Sequence, residues 1–327
     1  MLSNLKVVHL SESPLVGAPG KISNALCRIG VNSISYVKKD YPLKSGGLGG
    51  FFMDNSILIN SSIKSNEFDS FVFNLSQADV IHIHNWIDLS LFESVLKYCY
   101  KAKFVYHVHS PLREGPLFDE KSGNFPVDFS ARLVVSQYQP RHYQGYTVVP
   151  NIVLENPALS LREKSKPLKV LYSPSHKRDG RWNNKGSSEV TDILKSLKAS
   201  GHIEMYSIDQ PINPKALFQI RRMCDVTIDE IVTGAFHQVS LEGLCAGNVV
   251  INNADFFTQQ IFQHSVGAEM PPPFVKSDEK TILDNLIALS KDVDYCNAVK
   301  RKGFEYFSEN LIPENLANRY LKIYEEL

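Results

Sequence analysis

Short runs of apolar and β-branched residues alternate with helical segments along most of this chain, and this alternation restricts the fold more than any other feature. In the first half, strands are predicted over residues 6–10, 33–37, 80–84, 104–108 and 133–136. Several of these runs are apolar on both faces, as strands buried in a parallel sheet usually are. A helix is predicted over 21–29. Strands that alternate with helices predict a doubly wound α/β sheet.

The alternation stops near residues 146–151 and resumes after a polar, irregular stretch over 154–167, which we interpret as a linker. In the second half, strands are predicted over 170–173, 203–208, 225–229 and 248–253, and helices over 186–197, 214–224 and 239–246. A length of 327 residues suits about two domains. We predict a Rossmann-like domain of residues 1–152 and a second one of residues 153–312. The amphipathic segment 313–327 is expected to pack back on the first domain.

Charge and cysteine content exclude several classes of protein. Lys+Arg and Asp+Glu both number 35, so the formal net charge is zero, whereas nucleic-acid-binding proteins usually carry a basic excess. The five cysteines never stand in CxxC spacing, which favours a reducing compartment over a disulfide framework or a zinc site. The first residues do not read as a signal peptide, and no apolar run approaches the roughly 20 residues of a membrane-spanning helix. We expect a cytoplasmic protein with no nucleic-acid partner.

The segment 229–247, DEIVTGAFHQVSLEGLCAG, reads as a strand, a glycine-containing loop and a helix. Ligands of doubly wound sheets bind outside the carboxyl ends of the strands, and two such domains in tandem are predicted to face a central cleft. A helix that begins after such a loop is a ready anion site. Glu242, near the start of this helix, can accept hydrogen bonds from sugar hydroxyls. Equally, it can be an acidic residue that complements the helix dipole.

This segment is similar to the C-terminal signature of retaining GT-B glycosyltransferases of the family-4-like group. One version of that signature reads D-Q-x3-G-x2-G-x4-E-A-M-A-x-G-x-P-V-I. The resemblance implies that Glu242 holds the nucleotide ribose. It also implies that the phosphate and sugar contact backbone N–H groups of Phe236, His237, Gln238, Val239 and Ser240. The chain departs from the signature at Gly234, where many members have an earlier acid, and at His237 and Val249, where the family has glycine and proline.

A basic stretch over 173–186, SPSHKRDGRWNNKG, follows the first strand of the predicted second domain. It resembles the family's donor loop, in which an Arg and a Lys-Gly pair hold the diphosphate. The resemblance assigns these roles to Arg181, with Arg178 as the second choice, and to Lys185 with Gly186. Cations suit this place because a nucleoside diphosphate leaves with developing negative charge. A solvated basic loop is the alternative.

In the first half, the stretch LVGAPGK over 15–21 lies between the first strand and the first helix. Gly17 and Gly20 could allow backbone to approach a ligand closely. The stretch resembles the family's first-loop glycine segment, which faces the donor phosphate and the acceptor. Its spacing fits neither GxGxxG nor a P-loop, which makes a nicotinamide oxidoreductase the least favoured enzyme.

Two predicted strands each end with a pair of histidines, in the segments ADVIHIHNW over 78–86 and FVYHVHSPLR over 104–113. Residues i and i+2 of a strand share a face, so each pair could converge on a metal, but neither a carboxylate nor a Cys completes a site. We therefore expect no metal. The pairs match the family's D-V-I-H-x-H and H-x-H-S/G strand ends. That match implies that His109 lies against the donor sugar near the reacting carbon and that the acceptor side is lined by His84, Asn85 and Trp86. His82 and His107 are predicted to be satisfied core histidines.

The resemblance as a whole implies a retaining, hexosyltransferase-type enzyme (EC 2.4). It would move a sugar from a UDP- or GDP-type nucleotide sugar to a hydroxyl acceptor, with no cofactor beyond that co-substrate and no metal. The expected acceptor is a glycan or lipid-linked glycan of surface polysaccharide synthesis, which would bring the protein to the inner face of the membrane. A nucleotide-sugar epimerase or phosphorylase of the same fold, or a non-catalytic homologue that binds nucleotide or glycan, stays open.

Overall fold

The structure is a computed structural model that describes residues 5–42, 49–59, 66–109, 117–174, 187–208 and 210–327. The chain forms two compact units. One comprises Met1–Leu154 and Pro313–Leu327, and the other comprises Glu155–Ile312. Within the described ranges, no helix is both long enough and apolar enough to cross a bilayer.

The first unit is a parallel sheet flanked by helices. Its described strands are β1 (Lys6–Ser11), β2 (Asn32–Val37), β3 (Ile57–Leu58), β4 (Val80–His84), β5 (Lys103–Val108), β6 (Ala131–Val135) and β7 (Thr147–Val149). The helices before the second unit are α1 (Ala18–Arg28), α2 (Asn66–Gln77), α3 (Leu89–Tyr98) and α4 (Leu117–Ser122). The strand order β3-β2-β1-β4-β5-β6-β7 reverses direction between β1 and β4, so the crevice that doubly wound sheets use for ligands lies at the carboxyl ends of these two strands.

The second unit repeats this architecture around its own apolar core. Its described strands are β8 (Leu168–Tyr172), β9 (Ile203–Ser207), β10 (Val226–Ile228), β11 (Val249–Asn252) and β12 (Val275–Lys276). Its helices are α5 (Ser187–Ala199), α6 (Pro214–Arg222), α7 (Gln238–Cys245), α8 (Phe256–Val266), α9 (Ile282–Lys291) and α10 (Val293–Asn310). The order β12-β11-β10-β8-β9 places the reversal between β8 and β10. The predicted class, α/β with two Rossmann-like units, is confirmed.

The stretch over 154–167, interpreted as a linker, is mostly exposed, with one buried residue that anchors it. Arg162 is buried, and its guanidinium donates to the carbonyl oxygens of Leu289 (2.7 Å), Ser290 (2.9 Å) and Lys166 (3.0 Å). Its backbone N–H donates to Asn297 Oδ1 at 2.9 Å. A guanidinium satisfies several carbonyls at once, which explains how a polar stretch is held against the ends of α9 and α10.

A buried ion pair ties α10 to the sheet of the second unit. Lys300 Nζ lies 2.7 Å from Asp225 Oδ1, and the Lys300 side chain is 1% exposed. The other carboxylate oxygen of Asp225 accepts from the Lys169 backbone N–H at 3.0 Å. Both charges are therefore compensated, as buried charges must be.

The last helix, α11 (Pro313–Glu325), belongs to the first unit. It buries Leu316, Tyr320 and Tyr324 of the predicted apolar face, whereas Ile323 stays partly exposed. The Tyr320 hydroxyl donates to the Pro150 carbonyl at 2.9 Å. The amphipathic pattern of the sequence therefore corresponds to a helix with one buried face.

Candidate functional site

Asp229, directly after β10, organises the start of α7 in the second unit. Its Oδ2 accepts from the His237 backbone N–H at 2.6 Å and from Ser240 Oγ at 2.8 Å. Asn252 Nδ2 in turn donates to Ser240 Oγ at 2.9 Å. The carboxylate thus satisfies the N–H of the N-cap residue His237 and holds the Ser240 side chain in the first turn of α7.

This network corrects part of the predicted donor contacts. The His237 N–H is taken by Asp229, and the Ser240 N–H donates to the His237 carbonyl at 3.0 Å, so neither is available to a phosphate. Phe236 is fully buried and packs its ring on Phe262, with centroids 5.1 Å apart. Roles for the backbone N–H groups of Phe236, Gln238 and Val239 stay predictions.

His237 stands at the N-cap of α7, where the family has glycine, and is held by the same carboxylate. Its Nδ1 lies 3.2 Å from Asp229 Oδ1, and its side chain is 29% exposed. If Nδ1 carries the proton, it donates to Asp229, and Nε2 is then an acceptor. The imidazole is therefore a fixed polar group at the start of the helix.

Glu242 is the fifth residue of α7 and so lies in its second turn, beyond the first turn where an acid complements the helix dipole. Its Oε2 accepts from Arg221 Nη1 at 2.7 Å, with side-chain exposures of 19% for Glu242 and 1% for Arg221. No described residue donates a hydrogen bond to Oε1. The pair therefore fixes one carboxylate oxygen and leaves the other for a ligand.

Arg221, the partner of Glu242, is a residue that sequence reasoning missed. It lies in the last turn of α6, where an Arg is usually a solvated cation near the carboxyl end of a helix. In the described part of the chain its Nε and Nη2 have no hydrogen-bond partner. Its burial beside Glu242 is a tertiary feature that the sequence does not show.

Gly234, where many family members have an acid, adopts a left-handed backbone with φ +79°. A Cβ atom built there would lie 3.0 Å from Asp255 Oδ2, and the Gly234 carbonyl accepts from the Asp255 N–H at 3.0 Å. An acidic side chain would therefore face another carboxylate on a strained backbone. An acid at this position would therefore be unfavourable in this structure.

The residues assigned to the donor diphosphate lie outside the described residues. These are Arg181, Lys185 and Gly186, together with the second choice Arg178. Their roles remain predictions from the resemblance.

Gly17 and Gly20, the two glycines of the predicted first-loop segment, each have a local structural role, and their contact with a ligand stays a prediction. Gly17 adopts φ +80° as the N-cap of α1, which begins earlier than predicted because Pro19 suits the first turn. At Gly20 a Cβ would lie 2.7 Å from Ser56 Oγ and 2.8 Å from the Asn55 carbonyl oxygen. The close approach predicted at Gly20 is thus an approach of the protein's own backbone.

Five histidines meet in one cluster toward the carboxyl end of the first unit's sheet: His9, His82, His84 and His107, which are fully buried, and His109, which is partly exposed. We call them the histidine cluster. The parallel register aligns His9 with His82 and His84 with His107, and i, i+2 spacing puts each strand's pair on one face. His9 was missed because the register is not visible in the sequence.

Three members of the histidine cluster form a chain of hydrogen bonds. His9 Nδ1 lies 3.0 Å from His84 Nε2, and His84 Nδ1 lies 2.9 Å from His109 Nε2. Because a neutral imidazole has one donor and one acceptor nitrogen, the chain runs in one direction at a time. His84 is fully buried with both nitrogens occupied, so it does not line an acceptor site as predicted.

The core histidines are less satisfied than predicted. His82 Nδ1 lies 2.7 Å from the Tyr324 hydroxyl, but His82 Nε2 and both nitrogens of His107 lack a partner among the described residues. Burial lowers the pKa of His9 and of His109 to about 3, with a further Coulombic contribution from His109 at His9. At neutral pH these rings are therefore neutral.

Asn85 follows β4 with a left-handed backbone, φ +56°. Its side-chain Oδ1 accepts from the His109 backbone N–H at 2.5 Å, and its own N–H donates to the His107 carbonyl at 2.8 Å. It is 7% exposed, so it positions His109 rather than presenting a surface to an acceptor. Trp86 packs on Phe125, with ring centroids 5.1 Å apart, and alone among the predicted acceptor-side residues stays partly exposed.

No protein-family model and no curated protein sequence matches the chain. Among solved structures, a glycosyltransferase from Rickettsia africae ESF-5 is similar over 99% of both chains, with TM-score 0.58 and 14% identity. Sucrose-phosphate synthase from Thermosynechococcus elongatus is similar over 98% of both, with TM-score 0.56 and 11% identity. The chain has the GT-B fold.

A third GT-B neighbour is the catalytic domain of starch synthase IV from Arabidopsis thaliana, a structure that contains ADP and acarbose. It is similar over 99% of both chains, with TM-score 0.53 and 12% identity. At these identities the similarity shows the fold, and the function has to be argued from the site.

Proposed function

We propose that this GT-B protein is a retaining glycosyltransferase (EC 2.4) that moves a sugar from a nucleotide diphosphate sugar to a hydroxyl acceptor. The observation that carries the proposal is the Glu242 carboxylate, which is fixed through Oε2 by the buried Arg221 and belongs to a side chain that is 19% exposed. An ionised carboxylate only accepts hydrogen bonds, so it suits the hydroxyls of a ribose and not a phosphate. The GT-B fold supports the same reading.

The proposed donor site lies on the second unit. The resemblance assigns the diphosphate to Arg181 and Lys185–Gly186, whose positive charge would stabilise the leaving group. Backbone N–H groups near the start of α7 add partial positive charge there. On the first unit, Gly17 is assigned to the phosphate side and His109 to the donor sugar.

The proposed reaction needs no protein nucleophile and no metal. The acceptor oxygen forms a bond to the anomeric carbon on the face from which the diphosphate leaves. The bond from that carbon to the phosphate oxygen breaks, and the departing phosphate takes the acceptor proton. Retention follows because both events occur on one face.

The donor is proposed to be of UDP or GDP type and the transferred sugar a hexose. The acceptor is proposed to be a glycan or a lipid-linked glycan of surface polysaccharide synthesis. In that case the protein works in the cytoplasm and contacts the inner face of the membrane when the acceptor is on a lipid.

The test follows slow donor hydrolysis by NMR, because a transferase releases sugar to water without its acceptor. Wild-type protein is incubated with UDP- and GDP-hexoses, and the anomer released first is expected to be the one present in the donor. Lys185→Ala is expected to lower this rate by orders of magnitude. Lys198→Ala, an exposed cation at the end of α5, is the matched control.

Inverted product would contradict the retaining mechanism. Wild-type-like hydrolysis by Lys185→Ala would contradict the diphosphate assignment. Nucleotide binding without any turnover of the tested donors would favour the non-catalytic homologue, and an epimerised nucleotide sugar would favour the epimerase.

A further inference from the structure

The histidine cluster holds more buried ring nitrogens than the described protein can satisfy. His9 Nε2, His82 Nε2 and both nitrogens of His107 have no hydrogen-bond partner in the described ranges. His9, His82 and His107 are fully buried. A buried polar atom left unpaired is unfavourable, and His107, with two such nitrogens, is the member of the histidine cluster that points most directly to a further bound species.

The chemistry of the imidazole nitrogens determines which kind of ion the histidine cluster could bind. One ring nitrogen each from His84, His107 and His109 lies within 4.8 Å of the other two. Three neutral imidazoles are a typical ligand set for Zn²⁺, Co²⁺, Ni²⁺ or Cu²⁺, whereas Mg²⁺ and Ca²⁺ need oxygen ligands. We propose that His84, His107 and His109 form a binding site for a divalent transition metal, with Zn²⁺ as the representative ion.

The distances require only a small adjustment. Zn–N bonds of 2.0–2.1 Å at tetrahedral angles separate two ligand nitrogens by about 3.3 Å. His84 Nδ1 and His109 Nε2 lie 2.9 Å apart, so the ion replaces their hydrogen bond when the rings separate by a few tenths of an ångström. His107 has two nitrogens with no partner among the described residues, and turning one toward the ion breaks no hydrogen bond described there.

Neighbouring residues already orient two of the proposed ligands, His84 and His109. With the metal on His84 Nδ1, the proton stays on Nε2 and is donated to His9 Nδ1 at 3.0 Å. Such a second hydrogen bond is what metal-bound histidines usually make. The Asn85 side chain fixes the His109 backbone at 2.5 Å. His9 and Asn85 are thus positioning residues in this proposal.

A second group, His9, His82 and His84, meets the same distance criterion. All three of its rings are fully buried, whereas His109 is partly exposed and gives an ion a route to the site. The group with His107 and His109 is therefore the proposed one. We expected no metal because the sequence shows each histidine pair separately. The strand register brings the pairs of β4 and β5 into one cluster. The inference uses only residues of the first unit. It shares His109 with the proposed function, which assigns that residue to the donor sugar, so metal binding is measured without any donor.

The test uses the untagged full-length chain, stripped with a chelator and titrated with Co²⁺ and then Zn²⁺. One equivalent of Co²⁺ is expected to give the strong visible absorption of a four-coordinate ion, and Zn²⁺ is expected to displace it. Zn²⁺ in large excess over its dissociation constant should raise the unfolding midpoint by a few degrees.

Four variants locate the site. His107→Leu and the polar His107→Gln are both expected to lose the Co²⁺ spectrum, and having two variants guards against a failure of one to fold. His9→Leu should weaken affinity roughly 10- to 100-fold, as the loss of an orienting partner does. His82→Leu, inside the histidine cluster but not a ligand, should retain one-equivalent binding. His264→Gln, at an exposed histidine of α8, is the control for surface binding.

The proposal is overturned if wild-type protein gives no four-coordinate Co²⁺ spectrum, if both His107 variants bind like wild type, or if His264→Gln abolishes binding. Loss of binding in His82→Leu with retention in His107→Leu would overturn it in favour of the group His9, His82 and His84. Donor hydrolysis by metal-free protein is a separate result, so failure here is distinguishable from failure of the proposed function.

Discussion

Replacing Glu242 by Ala is expected to destabilise the protein although Glu242 is a partly exposed side chain. The change leaves Arg221 with 1% exposure and no carboxylate within reach of its Nη1, which the intact pair holds at 2.7 Å. Removing one partner of a buried ion pair costs about 3–5 kcal/mol, because the remaining charge is buried without compensation. An ordinary surface substitution changes stability by only about 0.5 kcal/mol.

The assay is a double-mutant cycle on the free energy of unfolding. Glu242→Ala should lower it by about 3–5 kcal/mol, which for a unit of this size moves the midpoint by roughly 6–20 °C. The double variant Glu242→Ala with Arg221→Met should recover most of that loss, since replacing both charges by apolar groups is often close to neutral. Nucleotide binding should stay impaired in the double variant, because the carboxylate is still missing.

Two results would refute this reasoning. A loss below about 1 kcal/mol for Glu242→Ala would show that Arg221 is not buried as a charge. Recovery of both stability and nucleotide binding in the double variant would show that the carboxylate serves the fold and not a ligand.

Three further outcomes are expected. Lys300→Met should lower the free energy of unfolding by about 3–5 kcal/mol, because Asp225 then remains buried without its cation; a chemical denaturation curve measures this. Gly247→Ala should lower the free energy of unfolding by at least about 1 kcal/mol, since φ is +70° and the new Cβ would lie 2.5 Å from the Ala158 carbonyl oxygen. Gly145→Ala is the control, because that position has φ +78° but open space, so it measures the backbone strain without the clash. Stability should be highest at and above neutral pH and fall as pH decreases from about 6.5 toward 3. The reason is that the folded pKa of His9 and of His109 is lowered to about 3, so the unfolded chain takes up those protons first. Unfolding midpoints measured with chelator between pH 7.5 and 4.5 test this, and a flat profile contradicts it.

The parts of the fold that sequence patterns predicted best are those where local pattern and tertiary environment agree. The strand over 80–84 is observed as β4 (Val80–His84) because every residue of the run is buried. β3 (Ile57–Leu58) and β12 (Val275–Lys276) were missed because two residues at a sheet edge carry no periodicity. The apolar face of α11 was predictable for the opposite reason, since a thirteen-residue helix repeats its pattern several times.

The site residues also differ in whether a local pattern could identify them. Glu242 and Asp229 stand in a contiguous segment, so a motif could identify them. Arg221 and His9 contribute through packing and strand register, which bring together positions that are distant in sequence. Gly20 was predicted to allow backbone to approach a ligand, and the structure places the Asn55 backbone close to it, a contact that the sequence does not show.

The measurement that tests the central claim most directly is thermal unfolding of the full chain with UDP, GDP, CMP or NAD in large excess. A ligand at about 100 times its dissociation constant adds about 2.7 kcal/mol to the stability of the state that binds it. A nucleotide-sugar transferase should show a rise of a few degrees with UDP or GDP alone, and Glu242→Ala should lose that rise. A rise with NAD only, or an equal response of Glu242→Ala to UDP or GDP, would contradict the account.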